Sequence, residues 1–355
     1  MNKYIYKTLR KIGLIKSNQM FREHCWRNDA WMVDEYNLPE LTDDEVKQFR
    51  DIWPCFSVDK RDLSYIRMYK SVFGFDPYFM PDFQFYEYLI KQSNPTKLIE
   101  PFKNKALYDI YLPKIPTPEI ICRSISGIKY DREMKQLNQE HEVSVLINQN
   151  KFVIKPSIDT GCGKGVRIVE LPLEDKEKFV DDLLSEYGRD YVIQKVVEQH
   201  STLANLNPTS LNTCRVTTIY LNGKISSSTT LKVGKLNSDK DNWFTSYFIG
   251  VDDNGVVLNR AFDAKLKRVS KTDTGVELES LRLPKFKEMV NLVECCHQYY
   301  FPNIGVLGWD VCVDKDNNII VIEVNVDYPG IAGEQFASGT FFKSRRNDIV
   351  DYLNR

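Results

Sequence analysis

The sequence predicts a fold that combines a mainly helical N-terminal region with strands joined by hairpins. Residues 1 to about 100 carry helical patterns rich in aromatic side chains, and Thr42 followed by Glu45 forms a capping box ahead of one helix. Beyond this region, short β-branched runs alternate with turn residues, which is typical of hairpins. One hairpin, over residues 308–325, carries the side chains on which the functional interpretation depends.

Length and charge set the first limits on function. The 355 residues predict two or three subdomains, and 48 basic against 49 acidic residues give no general attraction to nucleic acid. The eight cysteines form no C-x-x-C pair and no regular spacing, so we expect a reduced, cytoplasmic location without a disulfide framework. No apolar run approaches membrane-spanning length and no signal peptide is evident.

Residues 1–16 form a basic amphipathic pattern. Tyr4, Ile5, Leu9 and Ile12 share one helical face, which lysines and an arginine surround. Two interpretations stay open: the segment packs on its own domain, or it makes a peripheral contact with anionic lipid at the inner face of a membrane.

Helical patterns and chain breakers divide residues 40–150. The Tyr and Phe side chains of this part are interpreted as core rather than as substrate contacts. The proline-rich segment 115–118 forces an extended chain. The predicted elements are helices over 42–53, 63–73 and 83–91, a short helix from 105 to about 113, a strand over 119–122 and a surface helix over 131–142.

A glycine-rich run at 156–165 lies between two β-branched runs. Its G-x-G-x-G pattern suits a dinucleotide fold only if a helix follows, and β-branched residues follow instead. We therefore predict a hairpin flap whose backbone N–H groups approach phosphate oxygens, with Lys155 and Lys164 adding positive charge. A plain turn is the alternative.

The second half of the chain is predicted to alternate strands with two helices. His297, with its neighbours Cys295 and Cys296, is interpreted as core and surface, because no partner residue has metal-site spacing. The predicted elements are strands over 152–155, 166–171, 191–197, 211–221 and 225–233, a hairpin turn at 252–255, and helices over 174–187 and 284–300.

The hairpin at 308–325 brings three oxygen-bearing side chains to one face. A turn centred at residues 316–317 places Asp310 opposite Glu323, and Asn325 projects from the same face because side chains alternate along a strand. The residues predicted on the opposite, core-facing side are Val311, Val313, Ile320 and Ile322.

Asp310, Glu323 and Asn325 are the candidate metal ligands. Two facing carboxylates repel each other unless a cation lies between them. Ligands that offer only oxygen favour Mg²⁺, with Mn²⁺ as the alternative, over zinc. Such magnesium usually holds nucleotide phosphates, although solvated carboxylates on a half-exposed hairpin remain the other interpretation.

Five strings occur in an order that resembles the ATP-grasp superfamily: NKALYDIYLPKIPTP, FVIKPSIDTGCGKGV, QKVVEQH, SLNTCRVTT and GWDVCVDKDNNIIVIEVN. Over roughly residues 40–345 the chain is most similar to the sugar-transfer-associated ATP-grasp proteins of polysaccharide biosynthesis. The resemblance implies an α+β ATP-grasp fold, in which two α+β subdomains clamp ATP. It implies an N-terminal mainly helical region at 1–104, a small subdomain with the glycine-rich flap at 105–195, and a C-terminal subdomain with the metal site at 196–355.

The resemblance also implies roles for individual residues. Arg215 and Lys155 would be catalytic, with Arg215 stabilising the transferred phosphate or a developing oxyanion, and the three candidate ligands would hold two magnesium ions. The residues implied in ATP binding are Lys105, Lys155, Thr160, Gly161, Cys162, Gly163, Lys164, Gly165, Gln194, Lys195, Val196 and Val197.

The activity implied is an ADP-forming ligase that joins a carboxylate to an amine through an acyl phosphate. The expected substrates are a small-molecule or sugar-linked carboxylate and an amine such as an amino acid, in surface-polysaccharide or capsule biosynthesis. Two alternatives stay open: an ATP-grasp phosphotransferase (kinase), and a nucleotide-binding scaffold that associates with glycosyltransferases. Departures from the family pattern at 243–248 and 271–275 concern the acceptor side of the site.

Overall fold

The computed structural model describes residues 22–23, 25–26, 29, 33–158, 160–161, 163–238, 245–263 and 265–355. The predicted amphipathic segment at 1–16 lies outside these residues. Within the described ranges, no helix combines the length and the apolar character needed to cross a membrane. Helices and two antiparallel sheets make up the fold, as expected for the α+β class.

The first sheet has six strands in the order β3-β2-β1-β6-β4-β5. These strands are β1 (Ile120–Ile125), β2 (Ile128–Asp131), β3 (Gln136–Leu137), β4 (Lys151–Pro156), β5 (Arg167–Glu170) and β6 (Tyr191–Gln194). The helices Gln139–Ile147 and Lys176–Tyr187 pack on it through a small apolar core that includes Leu146, Phe152 and Leu184. The first sheet therefore presents its other face to the rest of the chain.

The second sheet has six strands in the order β10-β9-β8-β7-β11-β12. These strands are β7 (Thr213–Leu221), β8 (Lys224–Gly234), β9 (Ser246–Val251), β10 (Val257–Asp263), β11 (Val306–Val313) and β12 (Ile319–Asn325). The helix Phe286–Tyr300 packs against the sheet in the main hydrophobic core, while the helix Ala332–Ser338 contacts β8, β9 and β10. The central strands β7 and β11 are thus held between neighbours on both sides.

The N-terminal region packs its aromatic side chains against the second sheet and the C-terminal helices. Its first helix, Asp43–Ile52, begins at the predicted capping box, in which Thr42 and Glu45 bond each other's backbone N–H. A later helix is continuous from Asp82–Gln84 through the π-helical stretch Phe85–Ile90 to Lys91–Ser93. The other helices are Ser64–Phe73, Thr96–Ile99, Tyr108–Tyr111, Ser201–Ala204 and Arg346–Leu353, and the 3-10 turns are Lys60–Leu63, Glu100–Lys103, Lys105–Leu107 and Phe341–Arg345.

The predicted surface helix over 131–142 is wrong. Asp131 accepts a hydrogen bond from a backbone N–H four positions later, and Met134 has a φ of 64°, so the chain turns back as β2 and β3. A helix begins only at Gln139–Ile147, where Asn138 caps it. The other predicted helices and strands are confirmed with ends that differ by a few residues, whereas the subdomain boundaries at 105 and 196 stay predictions.

A buried polar network fixes β11 against β7. Thr218 on β7 accepts a hydrogen bond from Trp309 Nε1 at 2.9 Å and donates one to His297 Nδ1 at 2.6 Å, while His297 Nε2 donates to the Ile304 carbonyl at 2.8 Å. His297 is therefore a structural residue, as the sequence predicts, and burial lowers its pKa to about 4. Because Trp309 precedes Asp310, the network also holds the strand that carries the candidate site.

We predict that His297 makes the fold sensitive to mild acid. Its pKa is about 4 in the folded chain against 6.5 for the free side chain, so below pH 6.5 only the unfolded state readily takes the proton. Lowering the pH from 6.5 to 4 should therefore remove about 3 kcal/mol of unfolding free energy through this residue. The measurement is urea denaturation across this range. His297→Gln should lose this component while the exposed control His141→Gln keeps it, and equal slopes in both variants would contradict the assignment.

Candidate active site

A cleft of about 1080 Å³ lies between the two sheets and reaches the N-terminal helical region. The first sheet contributes side chains from β4 and β6, and the second sheet contributes side chains from β7, β8, β11 and β12. The loop at 160–164 and the segment 328–334 line it as well. The cleft is therefore the place where the separately predicted motifs meet.

Nearly all predicted site residues that the structure describes line this cleft. They are Lys105, Lys155, Thr160, Gly161, Gly163, Lys164, Gln194, Lys195, Val196, Val197, Arg215, Asp310, Glu323 and Asn325. Cys162 lies outside the described residues. Gly165 does not line the cleft: a Cβ there would lie 2.8 Å from Pro156 Cγ, and its φ is +76°, so this glycine closes the flap hairpin against β4 instead.

The predicted pairing of the metal-ligand hairpin is confirmed. Asp310 lies opposite Glu323 on β11 and β12, but the register shifts by one residue directly after Asp310. Because of this bulge, Val321 rather than Ile320 or Ile322 packs with the core side of β11, and Ile322 lines the cleft. The prediction that Ile320 and Ile322 face the core is therefore wrong, whereas Val311 and Val313 lie in the core as predicted.

Asp310 makes four polar contacts within the cleft. Its Oδ1 atom lies 2.8 Å from Arg215 Nε and 2.9 Å from Lys232 Nζ, and its Oδ2 atom accepts from Arg215 Nη2 at 3.0 Å and Asn325 Nδ2 at 3.3 Å. Burial alone would raise the pKa of Asp310, but the guanidinium and the ammonium hold it well below its usual range. Asp310 therefore carries a negative charge at neutral pH.

Arg215 joins Asp310 to a second acid. The two residues face each other on β7 and β11, and Arg215 Nη1 donates to the Pro329 carbonyl and lies 3.6 Å from Glu334 Oε1. Burial raises the pKa of Glu334, and the Arg215 charge opposes that rise. The guanidinium is held on three sides, so its position in the cleft is fixed.

Two lysines converge on Glu323 from the side of the first sheet. Lys105 Nζ lies 3.2 Å from Glu323 Oε1 and donates to the Thr160 carbonyl at 3.0 Å, which ties the flap to the β12 carboxylate. The pKa of Lys155 is lowered to about 8, because the effects of burial and of the Lys105 charge together outweigh the opposing charge of Glu323. Two ammonium groups held near a single carboxylate favour an additional anion at this end of the cleft.

The donor atoms of the hairpin fit magnesium in their chemistry. Glu323 and Asn325 supply carboxylate and amide oxygens, which hard divalent ions prefer. Asp310 supplies an oxygen only if Lys232 or the Asn325 amide N–H moves away, because a carboxylate accepts about four hydrogen bonds and those of Asp310 are all in use. Among the described residues, no three His, Cys, Asp or Glu side chains lie together as a possible metal site.

Lys232 is a site residue that sequence reasoning missed, although a signal for it exists. Asn222 and Gly223 have φ values of 55° and 74°, the geometry of a two-residue hairpin turn for which Asn-Gly is the preferred pair. A turn centred there pairs Arg215 with Thr230 and Thr213 with Lys232, as observed. The lysine therefore projects from the same face as Arg215. Glu334 was also missed, and no local pattern points to it.

The sequence matches the model of the family described as sugar-transfer associated ATP-grasp over residues 84–350. No curated protein matches the chain significantly.

Solved structures with detectable likeness share little sequence with the chain. For D-cycloserine synthetase DcsG the identity is 12% and the TM-score 0.45, over 73% of each chain. For D-alanyl-alanine synthetase A from Vibrio cholerae the identity is 13% and the TM-score 0.41, over 72% of this chain and 66% of the synthetase. For carboxyaminoimidazole ribonucleotide synthase from Aspergillus clavatus, complexed with ATP, the identity is 12% and the TM-score 0.41, over 65% of this chain and 46% of the synthase. The chain thus spans less than half the length of the last protein.

We predict that the two hairpin carboxylates differ in their contribution to stability. Asp310→Asn removes the carboxylate that both Arg215 and Lys232 contact and places a neutral amide beside two buried cations, which should lower the unfolding free energy by about 3–5 kcal/mol. Glu323→Gln changes a side chain that is 27% exposed and bonded to one lysine, so we expect a change below about 1 kcal/mol. Chemical denaturation of both variants is the measurement. Equal losses in the two variants would contradict the ion-pair geometry.

Proposed function

This chain belongs to the sugar-transfer associated ATP-grasp family, and from that premise we propose that it is an ATP-dependent ligase that joins a carboxylate to an amine. The predicted ATP-grasp fold of the α+β class is thereby confirmed. The observation that supports the activity is one cleft in which Lys105, Lys155, Arg215 and Lys232 lie beside the hairpin that carries Asp310 and Glu323.

Triphosphate binding is the first step that these charges favour. Lys105 and Lys155 line the cleft together with the flap residue Gly161, which leaves open the space that a Cβ would fill, so phosphate oxygens can approach the backbone there. A triphosphate supplies the anion that the two ammonium groups lack, and its charge would restore the pKa of Lys155 toward that of an ordinary lysine. We propose that the adenine lies on Gln194, Lys195, Val196 and Val197, which line the same cleft.

Activation of the carboxylate is the second step. A carboxylate is a poor electrophile, so direct displacement of its oxygen by an amine is slow. Its oxygen attacks the γ-phosphorus of ATP, the bond to the β-phosphate oxygen breaks, and ADP leaves, which gives an acyl phosphate with a good leaving group. Lys105, Lys155 and Arg215 offset the repulsion between the substrate carboxylate and the triphosphate.

Attack by the amine is the third step. After the ammonium group has released one proton to solvent, the nitrogen forms a bond to the acyl carbon and the bond to the phosphate oxygen breaks. A second proton passes from the nitrogen to the departing phosphate, and inorganic phosphate is released. Arg215 is the residue we assign to the oxyanion of the tetrahedral state, because Asp310 and the Pro329 carbonyl hold its guanidinium in place before the reaction begins.

Glu323 and Asn325, with Asp310 after displacement of one of its partners, are the residues that would hold magnesium. When bound there, the ion supplies positive charge that offsets the charge of the triphosphate. Lys232 competes for the same Asp310 oxygen, so this lysine regulates how readily the carboxylate becomes available as a ligand.

The acceptor and donor classes rest on the family description. Because the family is described as sugar-transfer associated, we propose that one substrate is a sugar or sugar acid, modified for example with an amino acid during surface-polysaccharide or capsule biosynthesis. Association with glycosyltransferases and contact of residues 1–16 with the inner face of a membrane belong to the same proposal. They follow from the family description and from the basic N-terminal sequence, respectively.

The experiment is a screen for ADP release with ATP, Mg²⁺, and pairs of uronic acids and amines. A ligase should release ADP and free phosphate only when both substrates are present. Phosphate retained on one substrate would instead identify a phosphotransferase, and binding of ATP without any turnover would favour the scaffold.

We predict that two variants separate chemistry from nucleotide binding. Glu323→Gln should lower kcat at least about 100-fold, because a ligand of the phosphate-bound ion is lost. Lys155→Ala should raise the dissociation constant of ADP about tenfold or more, since a buried cation at the phosphates is removed. Calorimetry and the ADP-release assay are the measurements, with Lys97→Ala as a surface control. Wild-type turnover in Glu323→Gln would remove the metal assignment, and unchanged ADP affinity in Lys155→Ala would remove the flap lysine.

A further inference from the structure

The cleft extends past Arg215 into a part that the steps above do not use. Tyr65, Asp82, Tyr86, Tyr328 and Glu334 line this part, which we call the acidic pocket. The first three residues belong to the N-terminal helical region, and the other two follow β12. The acidic pocket therefore lies where the N-terminal region meets the second sheet, next to the guanidinium assigned to the chemistry.

Among the residues that the structure describes, no cation compensates the charge of Asp82. Its Oδ1 atom is shielded from solvent and accepts no hydrogen bond. The pKa of Asp82 is raised to about 7, because burial and the charges of Asp29 and Glu334 together outweigh the opposing hydrogen bond of the Tyr65 hydroxyl. The charged groups that act on Asp82 in the described part of the chain are thus both acids. Asp82 lines the cleft, and its carboxylate lacks the second hydrogen-bond donor that a buried acid normally has, which a ligand with such a donor can supply.

Glu334 adds a second buried carboxylate. It is 5% exposed, and its nearest cation is Arg215, 3.6 Å away. Arg215 already bonds both oxygens of Asp310 and the Pro329 carbonyl. Arg215 and Lys232 together match the charges of Asp310 and Glu334, so among the described residues the acidic pocket has Asp82 as its additional carboxylate.

The walls of the acidic pocket are aromatic. Tyr86 lies in the π-helical stretch Phe85–Ile90, and its ring centroid is 5.5 Å from that of Tyr328. The charge of Asp82 and burial keep the Tyr65 hydroxyl neutral by raising its pKa. Aromatic faces combined with carboxylates are the groups that hold an ammonium ion, whereas they repel phosphates and carboxylates.

We propose that the acidic pocket binds the acceptor of the reaction and that this acceptor carries a protonated primary amine. The proposal rests on the proposed function, since it assigns one of its two substrates to a place in the cleft. The ammonium group donates to Asp82 and Glu334, and the carbon frame lies against Tyr86 and Tyr328. Because Arg215 contacts both Asp310 and Glu334, an amine bound in the acidic pocket lies next to the guanidinium assigned to the oxyanion.

The test uses primary amines, each paired with the alcohol in which a hydroxyl replaces the amino group: glucosamine with glucose, ethanolamine with ethylene glycol, and cyclohexylamine with cyclohexanol. Binding is measured by calorimetry on the full chain with ADP and Mg²⁺ at pH 7.5. At least one amine should bind about tenfold or more tightly than its alcohol. Asp82→Asn should reduce that preference to less than about threefold, while Asp44→Asn, which removes the same charge from an exposed site in the N-terminal region, should keep it.

A second variant, at an exposed position, tests amine binding in case Asp82→Asn does not fold. Tyr328 is 66% exposed, so Tyr328→Ala should fold normally and weaken amine binding about fivefold. Asp82→Asn removes a carboxylate that burial disfavours, so its melting temperature at pH 8 should not fall below that of the wild type. Its ADP affinity, which depends on the flap side of the cleft, should stay within about twofold.

Absence of an amine preference in every pair would overturn the inference, as would a preference that survives in both Asp82→Asn and Tyr328→Ala.

Measurements of turnover distinguish failure of the pocket assignment from failure of the proposed function. An amine preference that depends on Asp82, without amine-dependent ADP release, means that the pocket assignment holds and the ligase proposal fails. If ADP release depends on the amine and the KM for the amine is the same in wild type and Asp82→Asn, the ligase proposal holds and the pocket assignment fails.

Discussion

The buried ion pairs between Asp310 and its two cations, Arg215 and Lys232, are the constraint on which the rest of the cleft depends. Burial of a charged group costs several kcal/mol unless its partners are well placed, and here both carboxylate oxygens are bonded. The three residues come from the neighbouring strands β7, β8 and β11, so the pairs form only in one strand register. The same register brings Glu323 and Asn325 to the cleft from β12.

This arrangement leaves the cleft divided by charge. Lys105 and Lys155 lie near one carboxylate, that of Glu323, and their positive charge favours phosphate binding. In the acidic pocket, Asp82 and Glu334 attract cations. A reaction that joins an activated, phosphorylated acid to an amine needs both kinds of surface within one cavity, and Arg215 contacts both Asp310 and Glu334 there.

The sequence predicts those features of the fold and the site that depend on residues close together in the chain. The pairing of Asp310 with Glu323 followed from a two-residue periodicity and one turn, and it holds in the structure. Lys232 was within reach of the same reasoning through the Asn222-Gly223 turn. The bulge after Asp310, which turns Ile322 toward the cleft, leaves no mark in the composition of β12, and neither does the close approach of Gly165 to Pro156. Asp82 and Glu334 meet the site only through tertiary packing between segments far apart in sequence, so no spacing rule identifies them.

Phosphate binding between the flap and the β11–β12 hairpin is the claim on which the proposed chemistry rests, and a crystal structure with a non-hydrolysable ATP analogue and Mg²⁺ tests it most directly. We expect the phosphates beside Lys105, Lys155 and Arg215, with metal density in contact with Glu323 and Asn325. Phosphates bound elsewhere, or Glu323 and Asn325 turned away from them, would contradict the assignment of this cleft as the active site.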